Sequence, residues 1–400
     1  MTRFSILRVS FLSFIHFGVI SSIAADGPVK SIGIDDLTGG ARAVIVDQRV
    51  ALSHTTMIFP IDARGKIVAP ENADQQVSTT LENLKAALRE TGAGLDDIVK
   101  LNVYLPTNAV FPQVQVPLKN QLRKASKLSF SYVSGELTVP NAQLAMDAVA
   151  VCPLPANVVV RIPGKSGDGI SSVAVLPAGP KLYVSGMADT NSLVPATQKT
   201  LEKLIAAIGQ LGSKPEDVVQ LKVFLQPVTE AAKVREVIAK FFNGEAPPTI
   251  LVEWISSNPM VEIELIARAD EKFSQRKEPV EFLTPPGTTS TKVYSRVARV
   301  NHGNVIYFPG FYGMKANDGA GQVQEIFTDL GAIAKDAGTD FEHLVKATYY
   351  VTDNDASNNL NDLRPKYYNP ERPPAASKAK VKGTGLSGRT ITMDMIAVTK

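Results

Sequence analysis

Cysteine is almost absent from this chain, with one residue in 400, Cys152, so no intrachain disulfide can staple it. Tryptophan also occurs once, and histidine only four times. His16 lies near the start, and His54, His302 and His343 have no Cys or acidic partners at metal-ligand spacing, which argues against a structural metal site. The same scarcity removes the histidine pair that general acid–base work on a phosphodiester would want. Charge of one sign is missing too: 42 basic residues stand against 39 acidic, a formal net charge of +3. A chain this close to neutral has no electrostatic footprint for nucleic acid. No tract is of low complexity, and the 44% hydrophobic and 20% charged content is that of a globular protein.

What is abundant is repetition. The stretch TLENLKAALRETGAGLDDIVKLNVYL from Thr80 returns as TLEKLIAAIGQLGSKPEDVVQLKVFL from Thr200 and as IFTDLGAIAKDAGTDFEHLVKATYYV from Ile326. Leu84, Leu204 and Leu330 correspond, as do Gly92, Gly212 and Gly338, and Val99, Val219 and Val345. Their spacing is constant within each comparison, so no insertion falls inside the unit. The period exceeds that of solenoid repeats, and each copy reads as a domain. Boundaries are expected at residues 28–153, 154–272 and 280–400.

Residues 1–24 stand outside that pattern. Arg3 and Arg8 precede an apolar run from Val9 to Ile20, and Ser22-Ile23-Ala24 offers the small-x-small pattern of signal peptidase. The reading is a signal peptide cleaved after Ala24, with export to a secreted or periplasmic location and no membrane anchor afterwards. Losing the two arginines leaves 40 basic against 39 acidic residues.

Each copy opens with two extended segments around a turn, Ser172–Leu176 and Leu182–Ser185 in the second and Arg296–Val300 and Val305–Phe308 in the third. The turns, Pro177-Ala178-Gly179-Pro180 and Asn301-His302-Gly303-Asn304, suggest hairpins. Leu201, Leu204, Ile205, Ile208 and Leu211 then recur at helical spacing, and the glycine beyond them suits a left-handed C-terminal cap. A strand such as Val218–Leu225, a helix such as Ala231–Phe242 and a closing strand complete the unit. The closing strands begin at Leu144, Val261 and Ile391, and all three carry an acid in the middle, Asp147, Glu264 and Asp394. An acid recurring at one strand position reads as a structural hydrogen-bond acceptor. The expected fold is α+β, β-β-α-β-α-β three times. Two helices cover only one face of each small sheet, so three uncovered faces would bury one another in a closed ring.

This order of elements, with Tyr294-Ser295 opening the third copy, resembles the reactive intermediate deaminase A (RidA) family. Some of its members carry the older name of liver perchloric-acid-soluble ribonucleases. The resemblance covers the three copies. It implies a chorismate-mutase-like domain that assembles as a trimer, here a single chain acting as a pseudo-trimeric monomer. It also implies ligand clefts between neighbouring units and cofactor-independent hydrolysis of enamines and imines derived from amino acids.

In that family an arginine in a Pro-Ala-Arg-Ser segment clamps the substrate carboxylate, as a planar guanidinium can. The matching positions here are Phe130, Thr249 and Ala376, so the clamp is missing from every copy. The family's strand glutamate is matched by Ala145, Glu262 and Thr392, which leaves Glu262 as the catalytic candidate. The family's tyrosine is matched by Tyr294 and its asparagine by Asn361; Arg235 stands at the asparagine position of copy two. Tyr294, Asn361, Arg235 and Thr249 are therefore the substrate-binding candidates. Four of these five have a plain alternative: packing for Tyr294, backbone hydrogen bonding for Asn361, a solvated helix face for Arg235, and strand structure for Glu262.

The expectation is a small-molecule binder with degraded catalytic machinery, carrying one ligand at the cleft between copies two and three. An imine or enamine hydrolase at that cleft is the alternative. A ribonuclease is weaker, for want of a basic face and a histidine pair.

Overall fold

The computed structural model describes residues 27–154 and 156–400. The proposed signal peptide lies outside them.

In the first copy the chain runs through β1 (Val29–Ile32), β2 (Ala43–Val46), β3 (Ala51–Thr55), α1 (Ala73–Arg89), β4 (Ile98–Leu105), α2 (Phe111–Gln121), β5 (Ser129–Ser134) and β6 (Ala145–Cys152). The second repeats this as β7 (Val160–Pro163), β8 (Ser171–Leu176), β9 (Lys181–Ala188), α3 (Leu193–Gly209), β10 (Val218–Leu225), α4 (Ala231–Phe241), β11 (Thr249–Glu253) and β12 (Val261–Arg268). The third has β13 (Val280–Leu283), β14 (Val297–Val300), β15 (Val305–Phe311), α5 (Gly319–Asp336), β16 (Leu344–Val351), α6 (Asn354–Leu363), β17 (Ala375–Lys380) and β18 (Ile391–Val398).

Local chemistry starts and stops the helices where the sequence suggests. Asn72, Asp318 and Asp353 cap α1, α5 and α6 by accepting from the backbone N–H three residues on. Gly92, Gly212 and Gly338 sit in the left-handed region at φ 77°, 86° and 75°. The following residue's N–H then reaches back to Leu88, Ile208 or Ala334, the six-to-one bond of a Schellman stop.

The expected hairpins do not form across the proline- and glycine-bearing turns. β8 pairs with β7 and with β3 of copy one, whereas β9, just past the turn, pairs with β12 and β14. Likewise β14 joins the sheet of copy two and β15 begins that of copy three. The turn is a crossing between sheets. Each six-stranded sheet thus holds four strands of one copy and two of the next, in the orders β5-β4-β6-β3-β8-β7, β11-β10-β12-β9-β14-β13 and β1-β2-β15-β18-β16-β17. β1 and β2 of copy one dock on β15 of copy three, so the circle closes within one polypeptide. Alternation explains why pairing could move without disturbing burial: both faces of β8 and β14 are covered either way.

Each sheet packs its helix pair on one face, with Leu84, Leu204 and Leu330 fully enclosed. The opposite faces meet, and Val99, Val149, Val219 and Tyr307, drawn from three copies, share one apolar cluster. This is the three-face burial that the repeat required. Cys152 is buried, its thiol directed at the Thr91 carbonyl. Among the described residues no helix is long and apolar enough to cross a membrane, and no three His, Cys, Asp or Glu side chains gather as a metal site would need.

Candidate functional site

Strand crossing decides what each inter-copy cleft contains. At the junction of copies two and three, Glu262 lies near the start of β12, opposite Ala188 of β9. Its carboxylate presses against Gly186, where any Cβ would collide with it. Copy three supplies the other wall. The Ser185 hydroxyl donates to the Ser295 carbonyl (2.6 Å) and accepts from the Ala376 N–H (2.7 Å). One residue on, the Gly186 N–H donates to the Ser377 hydroxyl at 3.1 Å. With its oxygen accepting there, Ser377 keeps its proton for Glu262.

A guanidinium stands in the same place, and the family motif gives no warning of it. Arg296 donates through Nη1 to the Gly186 carbonyl (2.7 Å) and through Nε to the Thr289 carbonyl (3.2 Å). Its plane is 5.4 Å from the centre of the Tyr294 ring, and it is buried. Two of its donors are thus spent on backbone, so it is a fixed positive wall and not a free clamp. The sequence signal that could have found it is its place two residues past Tyr294, just before β14.

Burial pushes the Glu262 carboxyl up to about 7, and neighbouring Glu264 adds to the push. Lys346, the Ser377 hydroxyl and Arg296 oppose it. The result is a half-buried carboxyl poised to give or take a proton near neutrality.

The structure brings Glu262 and Tyr294 to one cleft, with Arg296 between them, and separates the other three candidates from it. Asn361 is exposed on α6, its Oδ1 accepting from Lys378 Nζ (3.0 Å) and Arg364 Nη2 (3.2 Å). The cause is alternation along β17: Ser377 points toward β9, whereas Ala376 and Lys378 point toward the helices. Arg235 is held by Asp168 of the loop between β7 and β8, with Nε 2.9 Å from the carboxylate. Thr249 lies in the cleft of copies one and two, fully buried, its hydroxyl donating to the Pro247 carbonyl at 3.0 Å.

That first cleft is closed by packing. The Thr56 hydroxyl donates to the Thr249 carbonyl at 2.8 Å, and Ala145 of copy one and Ile250 of copy two share one buried apolar cluster there. The cleft between copies three and one is closed by Phe130, whose ring touches Gly40 so closely that a Cβ there would collide with it. Thr392 and Ser131 press on Gly310 from the other side.

A profile of the family described as endoribonuclease L-PSP matches the chain three times, at residues 41–152, 171–269 and 287–399. A RutC family protein of Pyrococcus horikoshii is 29% identical over 106 residues, which are 26% of this chain and 81% of that protein. A second, from Pyrococcus abyssi, is 27% identical over 106 residues, 26% of this chain and 80% of its own. Among solved structures, a Rid family protein of unknown function, YyfB from Yersinia pestis, aligns at 22% identity and a TM-score of 0.28. It covers 31% of this chain and 98% of its own. Three successive matches take in well over half of the sequence, and the chain belongs to the endoribonuclease L-PSP family, in three tandem copies.

Proposed function

We propose that the protein binds one small, uncharged polar molecule per chain, in the cleft between copies two and three, and that turnover there is vestigial. One observation carries this reading. Glu262, Tyr294, Arg296 and Ser377 meet in that cleft, while the other two are filled by Phe130 and by Ala145 with Ile250. A few polar groups in an otherwise apolar cleft are what a ligand site needs. Above its pKa Glu262 is an acceptor for a ligand N–H or O–H, and it repels a carboxylate that no free arginine is there to hold.

The test is calorimetric titration at pH 8 with 2-oxobutanamide and with 2-oxobutanoate. The amide is expected to bind at one site per chain, with light scattering giving one chain per particle. Glu262→Gln is expected to weaken the amide by roughly tenfold or more, the usual loss for a hydrogen bond to a charged group. Three sites per chain, or an unchanged affinity in the variant, contradicts the proposal.

The pKa of Glu262 favours a second reading, hydrolysis of the imine formed from threonine or serine. Glu262 would take a proton from water as its oxygen adds to the C=N carbon and pass it to the nitrogen; the carbinolamine so formed then expels ammonia, its hydroxyl proton moving to the leaving nitrogen, and leaves the carbonyl product. Hydrolysis clearly above the uncatalysed rate, and lost in Glu262→Gln, would establish that reading instead.

Export remains a proposal, resting on Arg3, Arg8, the apolar run and Ser22-Ile23-Ala24. The mature protein recovered from its native host is expected to begin at Ala25; an intact Met1 would refute it.

A further inference from the structure

Strand register sets three layers of side chains around the pseudo-threefold axis. His54, Tyr183 and Tyr307 hold one equivalent position, each opposite Val149, Ile266 or Ile396 of a closing strand. Lys100, Gln220 and Lys346 face the same three residues from the other side. Two residues further on, Asn102, Lys222 and Thr348 lie opposite the recurring acids Asp147, Glu264 and Asp394.

The charges in these layers do not pair off. Lys100 of copy one holds Asp394 of copy three at 2.7 Å, and Lys346 of copy three holds Glu264 of copy two at 2.5 Å. Copy two has Gln220 where the other copies have those lysines, and its own cation is Lys222. Among the described residues Lys222 makes no ion pair, and its contact is the Tyr350 hydroxyl at 3.4 Å. Burial works against its ammonium, yet Tyr350 and the nearby acids raise its pKa above the ordinary lysine value, so the charge persists. The third acid, Asp147, is occupied elsewhere, its oxygens accepting from Asn102 at 2.9 Å and from Tyr104 at 2.6 Å.

A cavity of about 50 Å³ lies on the axis, and Lys222 lines it together with the two ion pairs. Its wall thus carries three ammonium groups against two carboxylates, and Asp147 is not part of it. Val149, Leu265, Ile266 and Ile396 make up much of the remainder, and apolar groups cannot screen the extra positive charge. His54 and Tyr307 also reach the cavity, and both ring nitrogens of the histidine and the tyrosine hydroxyl are buried without a hydrogen-bond partner. Burial lowers the His54 pKa to about 4, so the ring is neutral and offers one N–H. A cation here would add to an excess of its own sign. A doubly charged oxyanion would bring a second negative charge that nothing answers. A buried water occupies roughly 10–15 Å³, so the space suits one ion not much larger than water, with water beside it.

We infer that the axial cavity binds one small monovalent inorganic anion, of the chloride class, on the ammonium of Lys222, with the His54 N–H and the Tyr307 hydroxyl as further donors. The anion is the counter-ion that Lys222 lacks. It completes the charge balance of a wall drawn from all three copies, and so favours the closed ring over the unfolded chain.

The test has a crystallographic and a solution arm. A crystal of the wild type soaked in bromide is expected to show an anomalous peak in the axial cavity, in contact with Lys222. In solution, exchanging gluconate for chloride at constant ionic strength should raise the wild-type Tm by about 2 °C, since the ion binds only the folded state. Lys222→Met should abolish that response, whereas Lys240→Met, on an exposed helix face, should keep it. Failure to find bromide in the cavity overturns the inference on the wild type alone, even if Lys222→Met does not fold. A bromide peak with no effect of chloride on Tm is binding at crystal concentration only, and overturns it too. So does a chloride response that survives in Lys222→Met, which would place the ion elsewhere on the protein.

Discussion

Replacing Lys100 by methionine is expected to destabilise the protein by about 3–5 kcal/mol, the range for removing one partner of a buried ion pair. The ammonium is enclosed and makes three short contacts, to Ser131 Oγ (2.6 Å), the Phe308 carbonyl (2.6 Å) and Asp394 Oδ1 (2.7 Å). Burial alone draws the lysine pKa down, and Asp394 is the leading influence that holds the charge in place. Methionine keeps most of the volume and leaves the Asp394 side chain beside an apolar chain without its partner. Two of the three contacts cross from copy one to copy three, so the loss falls on ring closure. Equilibrium urea unfolding measures it, with Lys240→Met as the comparison. Lys240 pairs with Glu236 on an exposed helix face, 75% and 63% accessible, where such pairs are worth about 0–1 kcal/mol. A Lys100→Met effect no larger than that of Lys240→Met would remove the axial ion pairs from the account of ring closure. Pairing Lys100→Met with Asp394→Leu should recover most of the loss, because a buried pair replaced by matched apolar groups is close to neutral.

Lys100 also shows where sequence reading stops. The repeat, helix faces, glycine caps and closing strands were all legible, because each is set by local periodicity or by one backbone angle. The inward acids Asp147, Glu264 and Asp394 could be read as structural from their recurrence alone. Their lysines could not, since Lys100 and Lys346 have Gln220 as their counterpart and the remaining cation sits two residues away at Lys222. Strand partners of the turn at Pro177–Pro180 were equally hidden. A β8 paired with β9 and a β8 paired with β3 bury the same side chains, and only long-range docking separates them. In the cleft, Glu262 and Tyr294 were legible by position in the repeat. Arg296 and Ser377 were not, because what makes them part of the cleft is the passage of β14 into a neighbouring sheet. Asn361 failed to join them for a related reason: a helix residue on the far side of β17 cannot follow Ser377 to the opposite face.

Glu262→Gln is expected to make the protein more stable than wild type above neutral pH and to flatten its stability profile between about pH 4.5 and 7. The carboxyl is raised from 4.5 in the unfolded chain to about 7 in the cleft. A raised folded value means that the native state binds the proton more tightly than the unfolded state. Its contribution is therefore fully present below pH 4.5 and is lost as pH rises through 7. At 1.36 kcal/mol per unit, the loss is at most about 3 kcal/mol, and solvent access to the half-buried group brings it nearer 2. Glutamine fits the same space, donates or accepts but does not ionise, and keeps the contact with the Ser377 hydroxyl. Thermal unfolding across pH 4 to 9 checks the sign: the wild type should fall relative to the variant through this window and run parallel to it on either side. Parallel curves throughout would mean that Arg296 and Ser377 compensate the buried charge fully. Glu262 would then be a satisfied strand residue like Glu264, and the cleft would lose the one group that sets it apart from the other two.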